Sequence, residues 1–277
     1  MTVPDLVPLL PDLVALVGAG LLAGLIAGLF GVGGGTITVP ILFHWFLHIG
    51  VPSDQAMHAA VATSLATIIA TSTSSARAHK KRGSVDAEII KSWGPWIASG
   101  STIGVFLAAL MGGNAMRGIF GGFLLCIALY MLFTKGTTMV YHQLPTSWAK
   151  HAITTGIGVI SSLVGIGGGA ITVPVMTLCG VPMQRAVGTS SAFGAVIAVP
   201  GTIGFILSGW NVVNLPPLSL GYVNLLSLAI LFPATALMAP YGAKLAHKLD
   251  RAVLRRIFSV FLVFISAKML WGLFIGG

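Results

Sequence analysis

Two copies of one glycine-rich stretch set the strongest constraint on how this chain can fold. The first is FGVGGGTITVP at 30–40 and the second is VGIGGGAITVP at 164–174, at a constant offset of 134 residues. A glycine inside a helix costs about 1 kcal/mol relative to alanine, so three in succession predict a break in a helix. Because both copies lie inside apolar sequence, we predict that two broken helices form one site.

The composition predicts a membrane protein. Of the 277 residues, 56% are hydrophobic and 8% are charged, and the mean hydropathy is +0.96. Apolar runs of about 18 residues or more, the length that crosses a bilayer core of about 30 Å, recur along the whole chain. We therefore expect an all-α integral membrane protein in contact with a lipid bilayer, with no segment left over for a soluble domain.

The charged residues exclude several classes of function. The net charge is +9, but the basic residues are few and clustered, which favours a role in membrane topology or in attracting an anion over binding of nucleic acid. Cys126 and Cys179 lie in apolar runs without metal-type spacing. We predict no catalytic residue, no metal and no cofactor, because all carboxylates fall in loops or at chain ends. These are Asp5, Asp12, Asp54, Asp86, Glu88 and Asp250.

The duplication extends beyond the glycine stretches. The turn Gly-Val-Pro at 50–52 recurs at 180–182, and RGIFGGFLLCIALYML from Arg117 matches RRIFSVFLVFISAKML from Arg255. A repeat of this length means that two similar units make up the protein. We divide the chain into a first membrane repeat at 1–133, a polar linker at 134–147 and a second membrane repeat at 148–277.

The basic loops predict that the two repeats are inverted. Lys and Arg collect in cytoplasmic loops, and they fall at 77–91 in the first repeat but one loop later, at 244–256, in the second. Inversion needs an odd number of crossings per repeat, and neither arm of the first break looks comfortably long enough to span. Each repeat is therefore predicted to hold one GGG-broken re-entrant helical hairpin, or a pair of short spans, plus three transmembrane helices. The alternative is eight simple spans in parallel repeats, which leaves one basic loop outside.

The helix after each break begins at Thr36 or Ala170, so its free N–H groups and positive dipole end point at the break, a geometry that binds anions. Inverted repeats with discontinuous helices are typical of secondary transporters. The alternatives are a tight helix crossing without a ligand, and a dinucleotide loop, which we discard because no acidic residue follows until Asp250. The predicted substrate-binding residues are Gly33, Gly34, Gly35, Thr36, Thr38, Thr63, Ser64, Gly167, Gly168, Gly169, Ala170, Thr172, Thr189, Ser190 and Lys268.

Two ionisable residues inside predicted spans are further candidates. Lys268 lies well inside the last helix and could place a cation beside a bound anion, or it could extend to the interface as an anchor. His58, one turn into the second helix, is a candidate proton relay because histidine titrates near neutral pH, and a satisfied or interfacial histidine is the alternative.

The doubled G-x-GGG-x-x-x-x-P segments at 31–40 and 165–174, with the Gly-Val-Pro turns and the Thr-Ser pairs behind them, resemble the TauE/SafE family of sulfite and organosulfur anion transporters. The resemblance covers essentially the whole chain. It implies movement of a small sulfur-containing anion, such as sulfite, sulfoacetate, a sulfonate or thiosulfate, across the bacterial inner membrane. Export is the usual assignment in the family, and uptake is proposed for some members.

From the residues and the resemblance together, we predict a secondary transporter of a small anionic solute, held at the membrane midplane between the two breaks and released by alternating access. An anion channel and an uptake permease for the same solutes are the alternatives. Protons are the candidate coupling ion, a homodimer is the candidate assembly, and nucleic acid is not an expected partner.

Overall fold

The computed structural model describes residues 10–30, 33–133, 144–245 and 251–274. This part of the chain is almost entirely helical, with one two-stranded antiparallel hairpin. The elements in chain order are α1 (Leu10–Phe30), α2 (Gly35–His48), α3 (Ser53–Lys80), α4 (Ala87–Leu110), α5 (Gly113–Phe133), α6 (Ser147–Val164), α7 (Gly169–Leu178), α8 (Met183–Ser208), β1 (Ser219–Leu220), β2 (Val223–Asn224), α9 (Leu225–Leu245) and α10 (Arg251–Phe274).

Six of the described helices, α1, α3, α4, α5, α8 and α9, are long and apolar enough to cross a bilayer. The prediction of an all-α membrane protein is therefore confirmed. The first arm of the first break is longer than expected: α1 has 21 residues and its segment at 13–30 has span length, so the expectation that neither arm could span is wrong for α1. The β1–β2 hairpin, directly before α9, was not predicted.

The helix pairs that pack between the two halves of the chain come in equivalent sets. In each set, the helix from the first half in one pair corresponds to the helix from the second half in the other pair. Helix α1 packs on α9, while α6, which carries the second break, packs on α4. Likewise α9 packs on α3, and α4 packs on α8. Since α1 to α5 correspond in order to α6 to α10, every one of these contacts joins the two halves of the chain. Neither half is a separate globule.

Corresponding helices run antiparallel where they touch. In the pair α3 and α8, Ser72 lies beside Gly194 and Leu65 lies beside Gly201, so the residue numbers run in opposite directions. In the pair α5 and α10, Arg117 contacts Gly272, and the hydroxyl of Ser266 donates to the carbonyl of Gly121. This is the internal geometry that an inverted pair of repeats requires. The orientation of each repeat in the membrane, and the choice between re-entrant and crossing arms, stay predictions.

Glycines allow the α1–α9 pair to approach closely. A Cβ placed on Gly24 would overlap the backbone of Thr235, and one placed on Gly28 would overlap the backbone of Ala239. Gly242 of α9 is packed equally tightly against Leu25. Small residues at four-residue spacing bring membrane helices together in this way. The spacing of Gly24 and Gly28 thus fixes where α1, and the break that follows it, sits against the second half of the chain.

The inverted arrangement predicts that position 82, after α3, and position 244, at the end of α9, face the cytoplasm, whereas position 211, after α8, faces outside. We expect Arg82→Cys and Lys244→Cys to resist a membrane-impermeant maleimide on intact cells and to react in inverted vesicles, with Asn211→Cys behaving in the opposite way. The background needs Cys126→Ser, because Cys126 is exposed, and Cys179→Ser as a precaution. Labelling of positions 82 and 244 from opposite sides would exclude inversion.

Candidate functional site

Both breaks are built in the same way. Each helix after a break is preceded by a glycine in the left-handed region, Gly34 with φ 81° and Gly168 with φ 74°. The N–H of Thr38 then donates to the Gly34 carbonyl, and that of Thr172 donates to the Gly168 carbonyl. A side chain strains the left-handed conformation, so the sequence can turn sharply here only because glycine occupies these positions.

The structure brings the two breaks into direct contact with each other. Gly33 lies against Gly167, and a Cβ on Gly35 would overlap the carbonyl oxygen of Gly165. The first turn of α2 therefore begins at the end of α6, and the tips of the two broken helices touch through backbone alone. The glycines therefore allow the tight helix crossing that was the alternative interpretation of the sequence. They also bring the N-terminus of α2 close to the N-terminus of α7.

A threonine and a serine are paired behind each break. The hydroxyls of Thr38 and Ser64 lie 3.0 Å apart, and those of Thr172 and Ser190 lie 2.7 Å apart. Ser64 also donates to the carbonyl of Gly165 over 2.9 Å, which ties the first repeat to the second break. All four hydroxyls are buried. The structure thus brings these four predicted residues together with the glycines.

Thr63 and Thr189, the other members of the predicted Thr-Ser pairs, contact helix N-termini of the opposite repeat. The Thr63 hydroxyl accepts from the N–H of Asn224 over 2.9 Å, and the Thr189 hydroxyl accepts from the N–H of Asp86 over 3.0 Å. Asp86 caps α4 by accepting from two N–H groups of its first turn. Asn224, at the equivalent place before α9, accepts from the N–H of Ser227. These threonines therefore position α4 and α9 and do not face the breaks.

Three buried hydroxyls near the breaks have no hydrogen-bond partner within the described residues: those of Thr36, Ser72 and Ser161. Thr36 opens α2, Ser161 lies beside Gly168, and Ser72 packs where α3 crosses Gly194. An unsatisfied buried hydroxyl costs free energy, so groups of this kind indicate a place for a polar ligand or water. Sequence reasoning found Thr36 and missed the two serines, because only the helix crossings bring them to the breaks.

His58 is buried, and both of its ring nitrogens face backbone carbonyls. Nδ1 lies 2.8 Å from the Asp54 carbonyl, and Nε2 lies 3.0 Å from the Ala108 carbonyl at the end of α4. A neutral imidazole has one N–H and can donate to only one of them, whereas the imidazolium donates to both. The ring is also stacked on Tyr222 of the hairpin, with 4.9 Å between centroids. His58 thus connects α3 to the end of α4 and to the hairpin.

Lys268 lies apart from the breaks. It is exposed on a cavity between α1, α2 and α10, and none of the glycines of the breaks is among the residues that line this cavity. His44 and His48 of α2 share the cavity with it. The structure therefore does not place Lys268 beside the breaks, which was one of its two predicted roles; the other, an anchor at the interface, stays a prediction.

Asp86 also forms an ion pair with Arg185 of α8. Burial alone raises the pKa of the Asp86 carboxyl, but the N–H groups of Ile89 and Glu88 and the Arg185 guanidinium outweigh burial and hold that pKa below its ordinary value. The resulting stabilisation is present above the unfolded pKa of about 4 and is lost as the pH falls through the lowered folded pKa. The N-terminus of α4 is thus capped by the Asp86 carboxylate, and the N-terminus of α9 is capped by the neutral amide of Asn224.

Comparison with known proteins agrees with this architecture. Residues 16–269 match the family model described as sulfite exporter TauE/SafE. A "probable membrane transporter protein" of Haemophilus influenzae is 33% identical over 255 residues, which are 90% of this chain and 95% of that protein. The "probable membrane transporter protein YunE" of Bacillus subtilis is 27% identical over 277 residues, which cover 93% and 97% of the two chains. No solved structure matches.

The helices and these relatives define a multi-pass membrane transporter of the cell membrane. The matching family and the relatives are transporters and not enzymes. Within that class, the chain belongs to the TauE/SafE sulfite exporter family, as the glycine motifs led us to expect.

The caps at Asp86 and Asn224 predict how Asp86 variants behave. Asp86→Asn keeps an oxygen for the helix N–H groups and loses only a pair whose Arg185 side chain is 54% exposed, so we expect it to cost less than about 1 kcal/mol of stability. Asp86→Ala also loses the cap, at about 1 kcal/mol more. Thermal unfolding in detergent measures both. The deficit of Asp86→Asn should shrink as the pH falls below about 4 and vanish once the pH lies below the lowered pKa of Asp86. Equal losses in the two variants would contradict the capping role.

Proposed function

We propose that this protein is a secondary transporter that exports a small sulfur-containing anion, such as sulfite, sulfoacetate, a sulfonate or thiosulfate. The anion binds at the membrane midplane where the two breaks meet, and the two repeats move against each other to open the site to either side. The family description supports a sulfur oxyanion and export.

The observation that carries the proposal is the meeting of two helix N-termini among buried, unpartnered hydroxyls. The first N–H groups of α2 and α7 have no acceptor within their own helices, and their dipoles make the point of contact electropositive. Thr36 and Ser161 add hydroxyl donors without a fixed charge. Hydrogen-bond donors near this contact, with no carboxylate among the residues named, favour an oxyanion over a cation.

In this structure the tips touch through Gly33 and Gly167, so the point of contact is closed. An anion enters when the tips separate, and it then takes hydrogen bonds from both helix ends. The two breaks are held together by backbone packing and by the hydrogen bond from Ser64 to the Gly165 carbonyl, and neither interaction is a charged pair.

Thr36→Val tests the site without adding bulk. Removing one hydroxyl that donates to an anion costs about 1.5 kcal/mol, so we expect roughly tenfold weaker apparent affinity for sulfite, while Thr36→Ser stays near wild type. The measurement is exchange of labelled sulfite in proteoliposomes. The control is Thr177→Val, the same change in α7 at a hydroxyl bonded within its own helix. Unchanged affinity in both Thr36→Val and Ser161→Ala would remove the breaks as the site.

The same proteoliposomes separate a carrier from a channel. A carrier loaded with unlabelled sulfite accelerates uptake of labelled sulfite by counterflow, and this stimulation is absent for a channel. Thiosulfate, sulfoacetate, taurine and sulfate serve as competitors that rank the solutes. If sulfite and all of these competitors failed to produce counterflow, the proposal would be overturned.

Proton coupling is assigned to His58. Its Nδ1 faces the Asp54 carbonyl of its own helix and its Nε2 faces the Ala108 carbonyl at the end of α4, so a ring with a proton on each nitrogen donates to both, and a ring with one proton donates to only one of them. The charged or titratable groups that face it are Asp54 on its own helix and Tyr222 on the hairpin, while α4 contributes only a carbonyl.

His58→Gln replaces the imidazole with an amide that cannot take up a proton, and we expect transport to lose its response to a pH gradient while counterflow at constant pH persists. The control is His151→Gln, whose ring only stacks on Trp96 at the bundle surface. Uptake with and without an imposed gradient measures the effect. An undiminished gradient response in His58→Gln would assign coupling to another group.

A further inference from the structure

One face of α3 stays polar from the breaks to the helix end that the basic loop predicts to be cytoplasmic. Ser72, Ser75 and His79 are spaced by three and four residues, so they lie on one face of α3 and extend over about 10 Å. All three are at most 2% exposed. Polar side chains inside a membrane span are costly, and they commonly mark the pathway of a polar solute.

The hydroxyls of Ser72 and Ser75 differ from their neighbours on α3. Thr71 and Thr73 donate to carbonyls one turn earlier in the same helix, and Ser74 donates to a carbonyl of α9. Ser72 and Ser75 have no hydrogen-bond partner in the part of the chain that the structure describes. A serine in a helix can bond to its own backbone as the threonines do, so these two hydroxyls are directed away from their own helix.

The polar face begins at the breaks. Ile68, one turn before Ser72, packs on Gly33 of the first break, and Ser72 itself packs on Gly194 of α8. The carbonyl oxygen of Gly167, in the second break, lies beside Gly194 as well. The first of the two hydroxyls is therefore next to the point where the breaks meet.

The other end of the face is close to positive charge. The Nε2 atom of His79 lies 3.3 Å from the Gly28 carbonyl of α1, and the exposed Arg77 and Lys80 belong to the same last turn of α3. Ser75 thus lies between the breaks and a basic helix end. Exposed positive charge at such an end raises the local concentration of anions.

The packing of the two repeats does not by itself require polar residues here. The Thr-Ser pairs at 63–64 and 189–190 set an offset of 126 residues between α3 and α8. At this offset the three polar residues correspond to buried apolar or small ones: Ala198, Gly201 and Phe205. The same fold therefore accepts apolar side chains at the equivalent positions, and the polar face of α3 needs another reason.

We propose that this face of α3 lines the cytoplasmic half of the anion's path, and that the hydroxyls of Ser72 and Ser75 bind the anion between the breaks and the cytoplasm. The ligand is the oxyanion of the transport site, so the inference rests on the proposed function. Here α8 and α1 cover the face, and it opens when the repeats move. Neutral donors bind an anion and still release it, as a path requires.

Chemical modification of Ser75→Cys tests the proposal, in full-length protein that also carries Cys126→Ser and Cys179→Ser. The reagents are 2-sulfonatoethyl methanethiosulfonate and its trimethylammonium counterpart, and each rate is divided by the rate of that reagent with a free thiol. In inside-out vesicles we expect the sulfonate to react roughly tenfold faster than the cation on this scale. Sulfoacetate should slow the reaction, and it is the competitor because sulfite attacks disulfides.

The role of Ser72 is tested by adding Ser72→Ala to Ser75→Cys. We expect the concentration of sulfoacetate that halves the modification rate to rise about fivefold, the effect of one lost hydrogen bond. Ser74→Cys is the matched control, because it lies at the same depth of α3 but its side chain contacts α9. It should react at least tenfold more slowly and without preference between the reagents. Monodisperse gel filtration confirms that each variant is folded.

Four results would overturn the proposal. These are equal rates in Ser75→Cys and Ser74→Cys, no preference for the sulfonate reagent, a rate that sulfoacetate leaves unchanged, and reaction from the outer side alone.

The two proposals fail separately. Sulfonate-selective modification of Ser75→Cys without counterflow of any sulfur anion would reject the carrier and keep an anion path along α3. Counterflow that depends on Thr36, together with an unreactive Ser75→Cys, would reject this path and keep the transport site.

Discussion

Contact between two interrupted backbones is the constraint on which this structure depends. A break in a helix frees N–H and C=O groups that lipid cannot satisfy, so it is tolerated only inside protein. Here each break covers the other: Gly33 lies on Gly167, Gly35 lies on Gly165, and Ser64 donates to the carbonyl that this turn leaves free. Only glycine lets two backbones approach so closely. The remaining helices are arranged around this contact.

The same requirement explains why the bundle is rich in small residues. Lipid is as apolar as leucine, so burial from water does not drive membrane helices together, and close packing and hydrogen bonds take its place. Glycines bring α1 against α9, and α4 against α6. The short hydroxyl side chains beside them mostly bond to nearby backbone, whereas those of Thr36 and Ser161 have no hydrogen-bond partner in the part of the chain that the structure describes.

The two repeats share a framework but differ in charge. Asp86 caps α4 and pairs with Arg185, whereas Asn224 caps α9 as a neutral amide. Lys268 in α10 stands where α5 has Tyr130. The two repeats therefore carry different ionisable groups at equivalent positions, although their helices correspond in order.

The sequence by itself determined the membrane class, the family and the position of both breaks, because apolar run length and consecutive glycines act locally. It also singled out Thr38, Ser64, Thr172 and Ser190, whose hydroxyls the structure pairs behind the breaks, since a doubled motif marks equivalent positions; their role in binding stays a prediction. The tertiary structure decided which side chains meet: it brought Ser72 and Ser161 to the breaks, turned Thr63 and Thr189 toward helix N-termini, and placed Lys268 in a separate cavity. Those outcomes depend on helix rotation and crossing, which arise from contacts between residues far apart in the chain and leave no local pattern.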